Sequence, residues 1–148
     1  MKLNEFFSLN SIHTNIEADS KKMLFKEIAE FFSKNNKIKS SKLIEKLNER
    51  EKLGSTGIGN GVAIPHAKID GINKTQVLYI KLKSAIDFSS TDKKKVDKIF
   101  VIIAPENAQS EHLLILSSIS NFLRNAAKVK KLQNLSKSEE ILKLFSKD

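Results

Sequence analysis

Val96-Asp97-Lys98-Ile99-Phe100-Val101-Ile102-Ile103-Ala104 is unbroken in apolar character from Ile99 onward and is stopped by Pro105. A run of this kind, closed by a residue that cannot donate to a ladder, reads as a strand buried on both faces. Such a strand needs helices above and below it. Upstream, Thr75 to Leu82 alternates and holds Val77, Tyr79 and Ile80, which predicts a second strand. Further upstream, residues 20–34 fit a helix capped by Ser20, with Leu24, Ile28, Phe31 and Phe32 on one face. A second helix is expected from Ser40 or Ser41 to about Leu53. Leu43, Ile44 and Leu47 form its buried stripe, and Gly54 stands as its C-terminal cap. Downstream, Ser110 is expected to cap a helix running to about Asn125, with Leu113, Leu116 and Ile119 along the core side. Ser136 followed by Glu139 has the spacing of a capping box, ahead of a last helix in which Ile141, Leu142 and Phe145 pack inward. The expected fold is therefore α/β: one domain over residues 1–148, a mixed β-sheet with helices on both faces. The sheet is expected to be mixed because helices precede the main strands.

The 148 residues are 40% hydrophobic and 29% charged, the balance of an ordinary folded domain with a sizeable core. The first residues, Met1-Lys2-Leu3-Asn4-Glu5, reach a polar and then an acidic side chain before any apolar run builds, which argues against a secretory signal. Ile99 to Ala104 is the longest apolar run and is far too short to cross a bilayer, so no membrane insertion is expected and the cytoplasm is the default location. The absence of cysteine removes thiol catalysis, disulfide frameworks and Cys-ligated zinc. A net charge of +9 raises the question of nucleic acid. The charge is nearly all lysine, 24 against only Arg50 and Arg124, and it is dispersed; only Lys93-Lys94-Lys95 cluster tightly. That pattern argues against a nucleic-acid partner.

Gly54-Ser55-Thr56-Gly57-Ile58-Gly59-Asn60-Gly61-Val62-Ala63-Ile64-Pro65-His66 holds four of the five glycines, and one of the two prolines directly before a histidine. Glycine permits positive φ and close approach, and proline fixes φ, so the segment is a strictly shaped loop. It matches no nucleotide loop. A Gly-x-Gly-x-x-Gly starting at Gly57 meets Val62, and a Walker A starting at Gly54 meets Asn60 after Gly59. On residues alone, a structural turn with an incidental His66 remains open.

Two other residues bear on this segment. His112 stands at the start of the Ser110-capped helix, where free N–H groups and positive potential suit phosphate; a plain surface histidine is the alternative. Arg50 lies four residues before the glycine segment in a chain that otherwise prefers lysine. A guanidinium binds phosphate oxygens in bidentate fashion, whereas an ion pair with Glu49 or Glu51 is the bland alternative. His13 has no partner pattern. Three dispersed histidines and no cysteine give no zinc spacing, and no metal is expected.

The stretch Ser55 to His66 resembles the active-site signature of the fructose/mannitol-type (type 2) enzyme IIA of the bacterial phosphoenolpyruvate phosphotransferase system (PTS). Arg50-Glu51-Lys52-Leu53 and Glu111-His112 are similar to that family as well, and within it the wording is nearest the nitrogen-regulatory (PtsN-type) branch. The resemblance covers nearly the whole chain. One small departure is Ala67, where many relatives have glycine. The resemblance implies that His66 is the phosphorylated nucleophile, through Nε2. It implies that His112 orients the ring or hydrogen-bonds the phosphoryl group, and that Arg50 balances phosphate charge. Thr56, Gly57, Gly59, Asn60 and Gly61 would leave room for a partner's histidine and offer backbone N–H groups to the anion. No cofactor is implied. The implied partners are an HPr-like phosphoryl donor protein and either a downstream regulatory target or a IIB protein. The two functions that follow are a regulatory phosphoryl carrier and, alternatively, a sugar-specific IIA serving uptake.

Overall fold

The computed structural model describes residues 2–108 and 110–147; Met1, Gln109 and Asp148, inside the expected span 1–148, lie outside the described residues. Two short 3-10 turns, Leu3–Glu5 and Leu9–Ser11, lead into β1 (Ile12–Ile16), α1 (Lys21–Asn35) and α2 (Ser40–Lys52). Three short strands follow, β2 (Gly57–Gly59), β3 (Val62–Ala63) and β4 (His66–Ile69), then the long β5 (Gln76–Ile86) and β6 (Val96–Pro105). The chain ends in α3 (Glu111–Leu123), α4 (Ala126–Asn134) and α5 (Ser138–Phe145).

The sheet runs β1-β5-β6-β3-β2, with β4 also on β6. β5 and β6 are antiparallel, and β1 is parallel to β5. β3 and β4 are both parallel to β6, and β2 is antiparallel to β3. The sheet is mixed, as expected. Every residue of β6 is buried, because strands flank it on both edges and helices cover both faces. Ile99, Val101 and Ile103 pack with Leu24, Phe25, Ile28, Leu43 and Leu47 of α1 and α2. Phe100 and Ile102 face the other way, onto Ile115, Ile119 and Phe122 of α3 and onto α4 and α5. Phe145 is the hub of that second layer, with ring centroids 5.2 Å from Phe7, 5.6 Å from Tyr79 and 5.4 Å from Phe122. Each such side chain contributes ~1.5–3 kcal/mol by leaving water.

Several local expectations differ from what forms. Ser20 caps α1 as read, its hydroxyl accepting from Met23 N. In α3 the core stripe is Ile115, Ile119 and Phe122; Leu113 is 55% exposed and Leu116 only partly covered. Leu113 to Leu116 is apolar throughout, so the sequence allows more than one helical stripe, and docking on Phe100 and Ile102 selects the one through Ile115. The helix also stops at Leu123, because the Asn125 side chain accepts from Lys128 N and caps a separate α4. Ser136 makes no capping box. α5 starts at Ser138, whose hydroxyl donates to Ile12 O of β1 at 3.1 Å. Tertiary docking has replaced the local cap.

Candidate functional site

The glycine segment forms a hairpin. Gly59 pairs with Val62 across the two-residue turn Asn60-Gly61, with φ of 56° and 78°. Positive φ at both central residues is the turn that matches strand twist, and Asn-Gly is its preferred sequence. Gly61 is required for a second reason: a Cβ there would stand 2.8 Å from Lys98 Nζ. That ammonium is nearly fully buried and bonds Asp97 and Gln133. Burial pushes the Asp97 carboxyl up, but hydrogen bonds from Lys81, Lys98 and Gln133 outweigh it and hold the group below the ordinary aspartate value.

The hairpin delivers the chain to β6 twice. Val62 and Ala63 pair with Lys98 and Ile99, and His66 to Ile69 pair with Ile102 to Pro105. Between them Pro65 lacks an N–H, yet its carbonyl accepts from Ile102 N at 3.1 Å. His66 therefore begins β4 at a fixed register. Ala67 points to the α1/α2 layer, while His66 and Lys68 face a cavity of about 560 Å³.

The ring of His66 is held from both sides. Nδ1 lies 2.9 Å from Ile64 O, and Nε2 lies 3.1 Å from Arg50 Nε. A carbonyl oxygen only accepts and a guanidinium only donates. The two partners thus assign the same tautomer independently: the proton sits on Nδ1, and Nε2 carries a lone pair. Arg50 Nη1 donates to Gly54 O at 2.9 Å, which fixes the guanidinium plane across the end of α2. The bland alternative for Arg50 does not form. Glu51 is engaged by Lys21 and Thr56, and Glu49 lies beside Lys46.

His112, in the first turn of α3, lines the same cavity as Arg50, His66 and Lys68. Burial, then Lys68, then His66 lower its pKa, which favours a neutral ring. Its Nδ1 is buried with no hydrogen-bond partner. Leu53 on one rim is 85% exposed and Leu113 on another is 55% exposed, so apolar side chains frame the mouth. His13 is elsewhere, stacked on Phe31 with centroids 4.1 Å apart.

The structure thus brings Arg50, His66 and His112 together, from three elements far apart in sequence. It does not bring Thr56, Gly57, Gly59, Asn60 or Gly61 to the cavity wall. Three of their amides are already engaged: Thr56 N with Glu51, Gly57 N with Ser55 Oγ, and Asn60 N with Asp92. Sequence reasoning did not single out Lys68, which lines the cavity. Lys68 was legible in principle, since alternation along a strand starting at His66 puts it on the same face.

Residues 5–148 match the family described as phosphoenolpyruvate-dependent sugar phosphotransferase system, EIIA 2. The chain is 34% identical over 149 residues to a nitrogen regulatory protein homolog of Haemophilus influenzae, covering 98% of this chain and 91% of that one. It superposes on the crystal structure of the nitrogen regulatory protein IIA-Ntr from Neisseria meningitidis with a TM-score of 0.90 at 33% identity, over 97% of this chain and 99% of that one. It shares its fold, at a TM-score of 0.80 and 21% identity, with the mannitol enzyme IIA of Escherichia coli in complex with phosphorylated enzyme IIB, over 95% and 96% of the two chains. Among the described residues no helix is long and apolar enough to cross a membrane. With the match running through nearly every residue, this chain belongs to the EIIA 2 family of the phosphoenolpyruvate-dependent sugar phosphotransferase system.

Proposed function

We propose that the chain is a phosphoryl carrier that accepts the group on His66 Nε2 from the phosphohistidine of an HPr-like donor, in the cytoplasm, and serves a regulatory, nitrogen-type branch. The observation that carries this reading is the pairing of the His66 ring, Nδ1 with the Ile64 carbonyl and Nε2 with the Arg50 guanidinium, which calls for the proton on Nδ1 and a lone pair on Nε2. An unprotonated imidazole nitrogen is the nucleophile this chemistry needs.

In the transfer, the Nε2 lone pair attacks phosphorus as the donor's P–N bond breaks, and that electron pair leaves on the donor nitrogen. One P–N bond replaces another, so the exchange is near balance and reversible. Alignment and charge stabilisation are the protein's task. Arg50 Nε–H leaves the ring nitrogen for a phosphoryl oxygen. His66 gains positive charge as its Nε2 bonds phosphorus, and the Nδ1–H on Ile64 O stabilises that charge. Neutral His112 offers an N–H to the phosphoryl group, and Lys68 adds positive potential. Residues 56–61 act by shaping the backbone ahead of His66, since the amides of Thr56, Gly57 and Asn60 are held elsewhere. The exposed Leu53 and Leu113 suit a protein donor rather than a small solute.

The alternative is a sugar-specific IIA passing the group to a IIB component. The fold shared with a mannitol IIA bound to its phosphorylated IIB favours it. Incubation with phosphoenolpyruvate, enzyme I and each of two HPr-type donors, sugar and nitrogen, separates the readings by rate. An acid-labile mass gain is expected, faster with the nitrogen-type donor. No gain, with donor competence confirmed on a control acceptor, overturns both. His66→Ala should abolish the gain, and His112→Ala should slow it while leaving some acceptance.

A further inference from the structure

Among the described residues, Glu51 is the carboxylate that holds the exit of α2 to the hairpin. Its Oε1 accepts from Thr56 Oγ1 at 2.6 Å and its Oε2 from Thr56 N at 3.0 Å. The same Oε2 takes Lys21 Nζ of α1 at 2.7 Å. The Glu51 side chain is only 9% exposed and Thr56 is 4% exposed. Lys21 in turn lies over the Phe88 ring, 4.6 Å from its centroid. The Phe88 carbonyl accepts from Ser55 Oγ, which also accepts from Gly57 N. The carboxylate thus ties α1, α2 and the hairpin at a single point.

That point is one residue from Arg50. Arg50 Nη1 bonds Gly54 O, inside the turn that Glu51 and Thr56 close. Gly54 N also returns to Glu51 O. The guanidinium is therefore registered on a turn whose shape depends on the Glu51 clamp, and its Nε meets His66 Nε2 from there. Leu53, in the turn, is 85% exposed. Ser55 Oγ on Phe88 O and Ile64 N on Thr56 O hold the far side of the turn, and the Glu51 carboxylate is what joins it to α1 and to the Thr56 amide and hydroxyl.

We propose that Glu51 is a positioning residue, whose grip on Thr56 sets the turn after α2 so that Arg50 is held on His66 Nε2. This deepens the phosphoryl-carrier reading and rests on it for its consequence in transfer. The placement of Arg50 against the ring is a separate property of the unphosphorylated protein.

The test pairs Glu51→Gln and Glu51→Ala with Thr56→Val and Lys21→Met. The first readout is the Arg50 Nε–H bond to His66 Nε2 itself, from the 15N shifts of Arg50 Nε and His66 Nε2 in the unphosphorylated protein. Wild type should show both nitrogens at hydrogen-bonded shifts, while Ile64 O keeps the proton on Nδ1 in every variant. The Glu51 and Thr56 variants should move both shifts toward unbonded values as Arg50 leaves Nε2, with Lys21→Met affected less. The second readout is the single-turnover phosphorylation rate from a competent donor, expected to fall about 10- to 100-fold in Glu51→Ala, as small misplacements of a reacting group do. Far-UV dichroism confirms folding; should Glu51→Ala fail there, Glu51→Gln and Thr56→Val carry the comparison. Unchanged Arg50 Nε and His66 Nε2 shifts in folded Glu51 and Thr56 variants overturn the proposal. If wild type itself takes no phosphoryl group, the carrier reading fails, and the Arg50 and His66 shifts still decide the role of Glu51.

Discussion

Arg50 Nε sits 3.1 Å from His66 Nε2, so the nitrogen read as the nucleophile is capped by a cation in the resting protein. The contact has two effects. It aims the Nε2 lone pair at a donor, and on the proposed carrier reading it holds that donor one short movement from incoming phosphoryl oxygens. A lysine in its place offers a point charge without the planar fork that also bonds Gly54 O.

Arg50→Lys should keep the fold and slow single-turnover phosphorylation by about 10²-fold, the usual cost of losing one aligned donor to developing charge. Quench-flow with a phosphorylated HPr-type donor measures it. A rate within twofold of wild type would remove Arg50 from the chemistry.

Acid should weaken the fold in two stages. Burial lowers the pKa of His13 from 6.5, against a hydrogen bond that the ring donates to the Asn10 backbone and that raises it, with Lys34 adding to the lowering. Burial, Lys68 and His66 do the same for His112. A histidine depressed in the folded state binds its proton more readily when unfolded. Its contribution is therefore complete above about 6.5 and is lost as pH falls from there through the lower folded value. Asp97 is also depressed, but from 3.8, so its contribution persists until pH falls below that value and is then lost. Urea midpoints between pH 8 and pH 3 should decline first from about 6.5 and again below about 4. His13→Gln should flatten the first decline. A flat profile down to pH 4.5 would contradict the histidine assignment.

Gly61→Ala should destabilise by about 1–3 kcal/mol, because alanine must adopt φ near 78° and displace Lys98 Nζ. Asn60→Gly, at φ 56°, should stay within about 0.5 kcal/mol. Urea denaturation of both tests whether the hairpin turn is set by the buried lysine below it.

Ile119→Ala should cost about 2–5 kcal/mol, while Leu113→Ala should change stability by no more than about 0.5 kcal/mol. Ile119 is fully buried and Leu113 is 55% exposed. Equal losses would restore the core stripe that the sequence alone suggested.

The long elements were legible because their signals are long. β6 is a sustained apolar run, and α1 carries both a cap and a periodic face. The register of α3 was not, since Leu113, Leu114, Ile115 and Leu116 give no polar residue to orient the helix; only the Phe100 and Ile102 surface does. β1 and the three short strands are too brief to carry a pattern, and α4 is announced by one asparagine. Within the site, Arg50, His66 and His112 stood out by rarity of type and by neighbouring glycine, proline or helix start. Glu51 did not, because its partners lie across a helix end and on another helix. Spacing along one element reports neither.

Alternation along β4 gives segment length the same standing as residue identity. Between the prolyl carbonyl bonded to Ile102 and the pairing of Ile69 with Pro105, gain or loss of a single residue would turn the imidazole toward the α1/α2 layer that now receives the Ala67 methyl. Drift can exchange side chains here more readily than it can add or delete one.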